Sequence, residues 1–232
     1  EINLQLLAQA LASRKILVTV ITSIFSGLSP HETINGVRVL RWLRTGKSVN
    51  GVFGNIYRLL FFERSAIRSV KKLLQSETFD VIHLIGSSLG CASSLRKITS
   101  VPLVATVESY IALCPKGDFL CGNNVLLTRW SFFQFVHCLL RSSEIGKVSN
   151  VFYLKYNPFF WLMSYLRFLH LESNLFHVKL LAVSEFVQDI LRQHYKLKST
   201  VTPNFVDGTF FRMNTQKDEK YPPTTHINLH LC

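Results

Sequence analysis

The chain has 232 residues, 48% of them hydrophobic and 17% charged, with 26 Lys and Arg against 14 Asp and Glu for a formal net charge of +12. That length and apolar content exclude intrinsic disorder and suit one generous domain with its own core. The charge favours an anionic partner such as a phosphorylated substrate or an anionic membrane surface, or else marks a plain solvated basic surface; without an Arg/Lys block, zinc-finger spacing or an RNA-binding aromatic pattern, nucleic acid is not expected.

Residues 4–12 carry apolar groups at helical spacing, and Arg14 and Lys15 suit the end of that helix. Ile16 to Ile21 is a β-branched run of buried-strand type, Ser26 to Pro30 reads as a loop, and Gly36 to Leu43 alternates as a strand. Residues 56–75 form an amphipathic helix with Leu59, Phe62, Ala66, Val70 and Leu73 on one stripe. A strand follows over 79–85, a short helix over 89–98 and a buried strand over 102–107. Glu108 to Asn124 is loop-like. Aromatic helical stretches lie near 126–141 and 158–172, and a strand spans 178–183. Ser184 caps a helix running to Tyr195, and residues 200–202 make a last short strand. Alternating strands and helices with short connections predict an α/β fold, a Rossmann-like doubly wound parallel sheet, with ligands beyond the carboxyl ends of its strands. The expected organisation is one domain over 1–207, with an aromatic helical insertion at 126–172, then a linker and the broken start of a second domain over 208–232.

Several chemistries fail on spacing. Thr45-Gly46-Lys47-Ser48 lacks the glycine a phosphate loop needs, since that position is Arg41. No Gly-x-Gly-x-x-Gly opens a helix, and Ser87-Ser88-Leu89-Gly90 misses the nucleophile-elbow pattern at its start. Ser87 or Ser88 then reads as a helix cap whose exposed N–H groups suit an anion. Five cysteines without a C-x-x-C point to no disulfide framework and a reducing, cytoplasmic setting. Cys114, Cys121 and Cys138 beside His137 match no usual zinc spacing, so no metal is expected. The apolar run 151–171 is interrupted by Lys155, Asn157, Pro158 and Arg167, which argues against a spanning helix. The missing initiator Met suggests a fragment.

The most informative stretch is Thr106 to Asp118, where a buried strand delivers Glu108, Ser109, Tyr110 and Lys116 to the functional edge of the sheet. Such groups orient a sugar hydroxyl or a phosphate; the plainer reading is a loop in which Glu108 pairs with Lys116. His83, near a strand end, is either a packed core histidine or part of the same edge. Aromatic residues between Trp130 and Phe168 interleave with Arg129, Arg141, Lys147, Lys155 and Arg167. That mixture suits either a helix lying in a membrane interface or a helical pair covered by another domain.

The segments VATVESYIALCPKGDFL, LLAVSEFVQDIL and VTPNFVD, together with FDVIHLIG, occur in an order and at distances that resemble family 4 glycosyltransferases of the GT-B fold. The resemblance implies the N-terminal, acceptor-side half of a retaining sugar transferase. A nucleotide sugar would bind a second domain, with no cofactor and no metal. Positions matching the family's motifs assign Glu108 to catalysis. His83, Ser87, Ser109, Tyr110, Lys116, Ser184 and Glu185 are assigned to the acceptor, and Asn204 and Asp207 to an interdomain hinge. Glu108-Ser109 stands where the family usually has His-Asp, and Phe205 where it usually has Gly. The implied function is hexose transfer to a lipid-linked or polysaccharide acceptor, at the inner face of a membrane. The alternative is a non-catalytic membrane- or acceptor-binding module. The fragment alone is expected to be inactive.

Overall fold

The computed structural model describes residues 2–44, 52–121, 125–126, 130–141 and 156–204. The Thr45–Ser48 motif, Asp207 and the linker therefore lie outside the described residues. In chain order the elements are α1 (Ile2–Ser13), β1 (Val18–Ser23), β2 (His31–Ile34), β3 (Val37–Leu43), α2 (Val52–Ser76) and β4 (Ile82–Ile85). A 3-10 turn (Gly86–Cys91) leads into α3 (Ala92–Ile98), then β5 (Leu103–Val107) and a second turn (Tyr110–Ala112). A small hairpin of β6 (Leu120–Cys121) and β7 (Val125–Leu126) precedes α4 (Phe132–Arg141) and α5 (Pro158–Asn174). The third turn (Leu175–His177), β8 (Lys179–Ala182), α6 (Glu185–Tyr195) and β9 (Ser199–Val201) complete the set.

The central layer is a parallel sheet in the order β4-β5-β8-β9, flanked by helices as a Rossmann-like half requires. Its register aligns Leu84 with Ala105 and Ala105 with Leu180, so side-chain alternation separates two faces. Leu84, Leu103, Ala105, Val107, Leu180 and Ala182 are buried and join Leu95, Leu171, Leu175, Val187 and Leu191 of the helical layer in one core. The opposite face carries His83, Ile85, Thr106 and Leu181, all half-buried.

The single sheet expected from the sequence is divided. β1 pairs in parallel with β3, and β2 pairs antiparallel with β3, as a separate three-stranded sheet; β1 does not hydrogen-bond to β4. β1 is half-buried along its whole length, and Ile16 and Leu17 are exposed, so this run is not the fully buried strand its composition suggests. β2 lies just beyond the expected loop. Asn35 and Gly36 both take positive φ (50° and 79°) between Ile34 and Val37, the tight hairpin turn that an Asn-Gly pair favours. Arg41 is buried, with its guanidinium on Glu32 (2.6 Å) and on the Ser29 carbonyl (2.7 Å).

Helix ends follow their local chemistry. Ser131 and Gln134 close a reciprocal cap on α4, each accepting the other's backbone N–H (3.2 and 3.0 Å). Asn157 caps α5 with Pro158 in its first turn, and Ser184 Oγ accepts the Val187 N–H on α6 (3.3 Å). Asn174, buried, accepts from the Ser93 N–H and donates to the His170 carbonyl, both at 2.8 Å, tying α3 to α5. Among the described residues no helix is long and apolar enough to cross a membrane.

Candidate functional site

Because β5, β8 and β9 are parallel and in register, with Val107 opposite Ala182 and Ala182 opposite Val201, their carboxyl ends form one rim. The segments after each strand start there. They are the Glu108–Asp118 loop, the Ser184 cap of α6, and Thr202–Asn204.

Under this rim, on the half-buried face of the sheet, lies a cavity of about 150 Å³. Its floor is His83, Ile85, Thr106 and Leu181; Glu108, Thr202, Pro203 and Asn204 form the rim side. Asn3, Leu4, Leu7 and Leu11 of α1 close it from above. The leucines sit at helical spacing, so one apolar stripe of α1 covers this mixed polar and apolar floor. Typical small-molecule pockets hold about 300–1,000 Å³, so this cavity admits an end group rather than a whole ligand. A roomier concavity at the end of α2, lined by residues 74–78, is an open shelf; beside it the Glu77 carboxylate is taken up by Arg38 (2.9 Å for one of two contacts).

His83 Nε2 lies 2.7 Å from Thr106 Oγ1 on the neighbouring strand. Burial pulls the His83 pKa below the ordinary imidazole value, so the ring is held neutral. The site thus offers a fixed imidazole, a threonine hydroxyl, a carboxylate and the Asn204 amide. That set supplies hydrogen-bond donors and acceptors of both kinds.

The expected acceptor residues divide among three places. His83 and Glu108 meet in the cavity, with the predicted hinge residue Asn204. Tyr110 packs instead into a ring cluster with Phe119 (centroids 5.0 Å apart) and Phe186 (6.0 Å), joining the loop after β5 to the first turn of α6. That cluster places Ser184 and Glu185 beside the same loop. Ser184 spends its hydroxyl on the helix cap, and Glu185 and Ser109 are exposed. Lys116 is nearly buried and held by its own loop, donating to the Leu120 carbonyl and the Asp118 carboxylate, each at 2.8 Å. The pairing of Lys116 with Glu108 is therefore replaced by a local Lys116–Asp118 pair, which the two-residue separation favours. Ser87 is exposed and accepts from Arg167 (2.9 Å). Ser88 is the one that stitches the turn, accepting the Ile85 N–H (2.7 Å) and donating to the Ile85 carbonyl (2.9 Å).

The loop itself is built around Cys114, whose sulfur accepts the N–H groups of Gly117 (3.3 Å) and Phe119 (3.4 Å). Gly117 sits at φ +90°, where a side chain would be strained, and Phe119 is fully buried at φ +59°. Cys138 donates to the Leu120 carbonyl, and among the described residues no three His, Cys, Asp or Glu side chains gather as a metal site would need. Sequence reasoning passed over Thr106, Asn3 and Thr202. Thr106 is findable, since it lies an even number of residues from Glu108 and so shares its side of the strand.

In open parallel α/β sheets ligands bind beyond the carboxyl ends of the strands, where this cavity lies. The sequence matches the model of Glycosyltransferase Family 4 over residues 1–210, and the chain belongs to that family. No curated protein matched it.

Proposed function

We propose that this domain binds the acceptor of a retaining glycosyl transfer in the cavity between α1 and the sheet. In this reading it is the acceptor-side half of the enzyme. A nucleotide sugar is held by a second domain, without a metal, and the sugar passes to a lipid-linked or polysaccharide acceptor at the anionic inner face of a membrane. One observation carries the reading: His83, Thr106, Glu108 and Asn204 converge on a single cavity at the carboxyl rim of the parallel sheet. Glu108 accepts the attacking hydroxyl's hydrogen bond, and the Thr106-held imidazole of His83 fixes the neighbouring hydroxyl. Tyr110, Lys116, Ser184, Glu185 and Ser109 shape the rim around the entering acceptor, and Ser87 with Arg167 offers a second polar contact along it. Asn204 belongs to the interdomain hinge in this reading, to which Asp207 is also assigned.

The test is sugar transfer in membranes from cells expressing the gene product, with radiolabelled nucleotide sugars as donors. Label is expected to enter the lipid or polysaccharide fraction and to fall by about 100-fold in Glu108→Ala. No transfer from any nucleotide sugar, with the protein folded, would remove the enzymatic reading and leave a binding module.

A further inference from the structure

We infer that Cys121 and Cys138 form a redox-reactive thiol pair, which a low-molecular-weight disulfide converts into an intramolecular disulfide that clamps the β6 hairpin to α4. This goes beyond the acceptor reading above and does not rest on it.

Both cysteines are free thiols. Cys138, on α4, is fully buried, and its sulfur donates to the Leu120 carbonyl (3.3 Å). The next residue along β6 is Cys121, which is half-buried. Cys138 is thus held against the peptide that joins Leu120 to Cys121, and the two thiols are themselves in hydrogen-bonding contact. β6 and β7 pair over two residues each, Leu120 with Leu126 and Cys121 with Val125. So short a ladder offers little resistance to the shift that turns a sulfur–sulfur contact into a bond of about 2.0 Å. The other described cysteines are committed elsewhere. The buried Cys114 sulfur accepts the N–H groups of Gly117 and Phe119, and Cys91 lies against the Glu63 carbonyl of α2 (3.9 Å).

The surroundings assign the two roles. Burial first, then the hydrogen bond and charge of Cys121, push the Cys138 thiol up to about 12, and the Asp118 carboxylate adds to this. Cys121, the accessible member, therefore meets the small disulfide first. Its thiolate attacks one sulfur, the S–S bond of the reagent breaks, and one thiolate leaves. Capping Cys121 removes both of its effects on Cys138. The Lys116 ammonium, which donates to the same Leu120 carbonyl (2.8 Å), still favours the Cys138 thiolate. Cys138 then loses its proton and attacks the Cys121 sulfur, expelling the second thiolate. The protein gives up two electrons and two protons, and the reagent takes them and departs as two thiols. Because the Leu120 carbonyl also anchors Lys116, the new bond fixes to α4 the peptide that holds this rim lysine in place.

The experiment is incubation of the native full chain with glutathione disulfide, followed by alkylation with iodoacetamide and mass spectrometry of the non-reduced digest. A peptide pair linked through Cys121 and Cys138 is expected, with alkylation of Cys121 lost in the oxidised chain and restored by dithiothreitol. Cys138→Ser keeps a donor for the Leu120 carbonyl and should stop the reaction at a glutathione adduct on Cys121. Cys121→Ser should leave Cys138 reduced. Hydrogen exchange gives a second readout, with the amides of 118–121 and 135–139 slowed in the oxidised native chain. A glutathione adduct that persists on Cys121 of the unmodified chain, a link from Cys121 to Cys114 or Cys232, or thiols that stay reduced would each overturn the inference. Unchanged exchange after the disulfide forms would overturn the clamp. None of these outcomes bears on sugar transfer, which tests the cavity separately.

Discussion

Thr106 Oγ1 meets His83 Nε2 at 2.7 Å across two adjacent parallel strands, on the face of the sheet that α1 covers. The contact needs β4 and β5 in this register, with Ile85 opposite Thr106, and it ties a titratable ring to the floor of the cavity.

This pair makes a pH prediction with a definite sign. The folded-state pKa of His83 lies below its ordinary value of 6.5, with burial as the cause. Below about pH 6.5 the unfolded chain therefore binds more protons than the folded one. The contribution of His83 is neutral above that pH and destabilising as pH falls through it. Urea unfolding at about pH 7.5 and about pH 5.5 should show a loss for the native chain that is smaller in His83→Asn. An equal loss in both would show that His83 is not held neutral by the fold.

Phe119 closes the loop that carries the rim residues. Its ring is 1% exposed and packs against Tyr110 and Phe186. Phe119→Ala should cost about 3–5 kcal/mol in denaturant unfolding, the usual range for emptying an aromatic site. The same variant should release Tyr110, which is read as increased exchange of the 110–118 amides.

Asn174, with almost no exposure, ties α5 to α3 by accepting the Ser93 N–H, while its amide donates to the His170 carbonyl of its own helix. Asn174→Leu leaves the Ser93 N–H and the His170 carbonyl without that partner. A loss of about 1–3 kcal/mol is expected by chemical denaturation.

Cys91 tests burial chemically. Its thiol is pushed up to about 12 by burial first and by the Glu63 carboxylate second. At about pH 8 the reactive thiolate is therefore scarce, and iodoacetamide should spare Cys91 in the native chain and modify it after unfolding. Mass spectrometry of the digested protein reads both states.

Much of this fold is legible in the sequence because its signals are local. The Ser184 cap, the Asn157-Pro158 start of α5 and the β-branched strands each announce themselves within a few residues. The Asn35-Gly36 hairpin is local too, yet β2 was missed because His31-Glu32-Thr33-Ile34 has neither a clean apolar face nor burial. Strand partners are not local. Nothing within Val18–Ser23 or Ile82–Ile85 specifies that β1 takes β3 and β4 takes β5, because that choice depends on packing across the whole domain. The site was legible as far as the chain order of His83, Glu108 and Asn204 could carry it. Thr106 follows from strand alternation with Glu108, whereas the α1 lid entered only through tertiary contact. Only the plainer pairing of Lys116 with Glu108 gives way, to Asp118 two residues away.

The most direct measurement is a two-dimensional NMR titration of the isotope-labelled chain with a short, water-soluble polyprenyl phosphate and, separately, with a neutral oligosaccharide. Saturable shifts at His83, Thr106, Glu108, Thr202 and Asn204 with at least one of the two would place the acceptor in the cavity under α1. Saturable shifts confined to the β1–β3 sheet or the shelf at the end of α2, or no shifts with either compound, would contradict it.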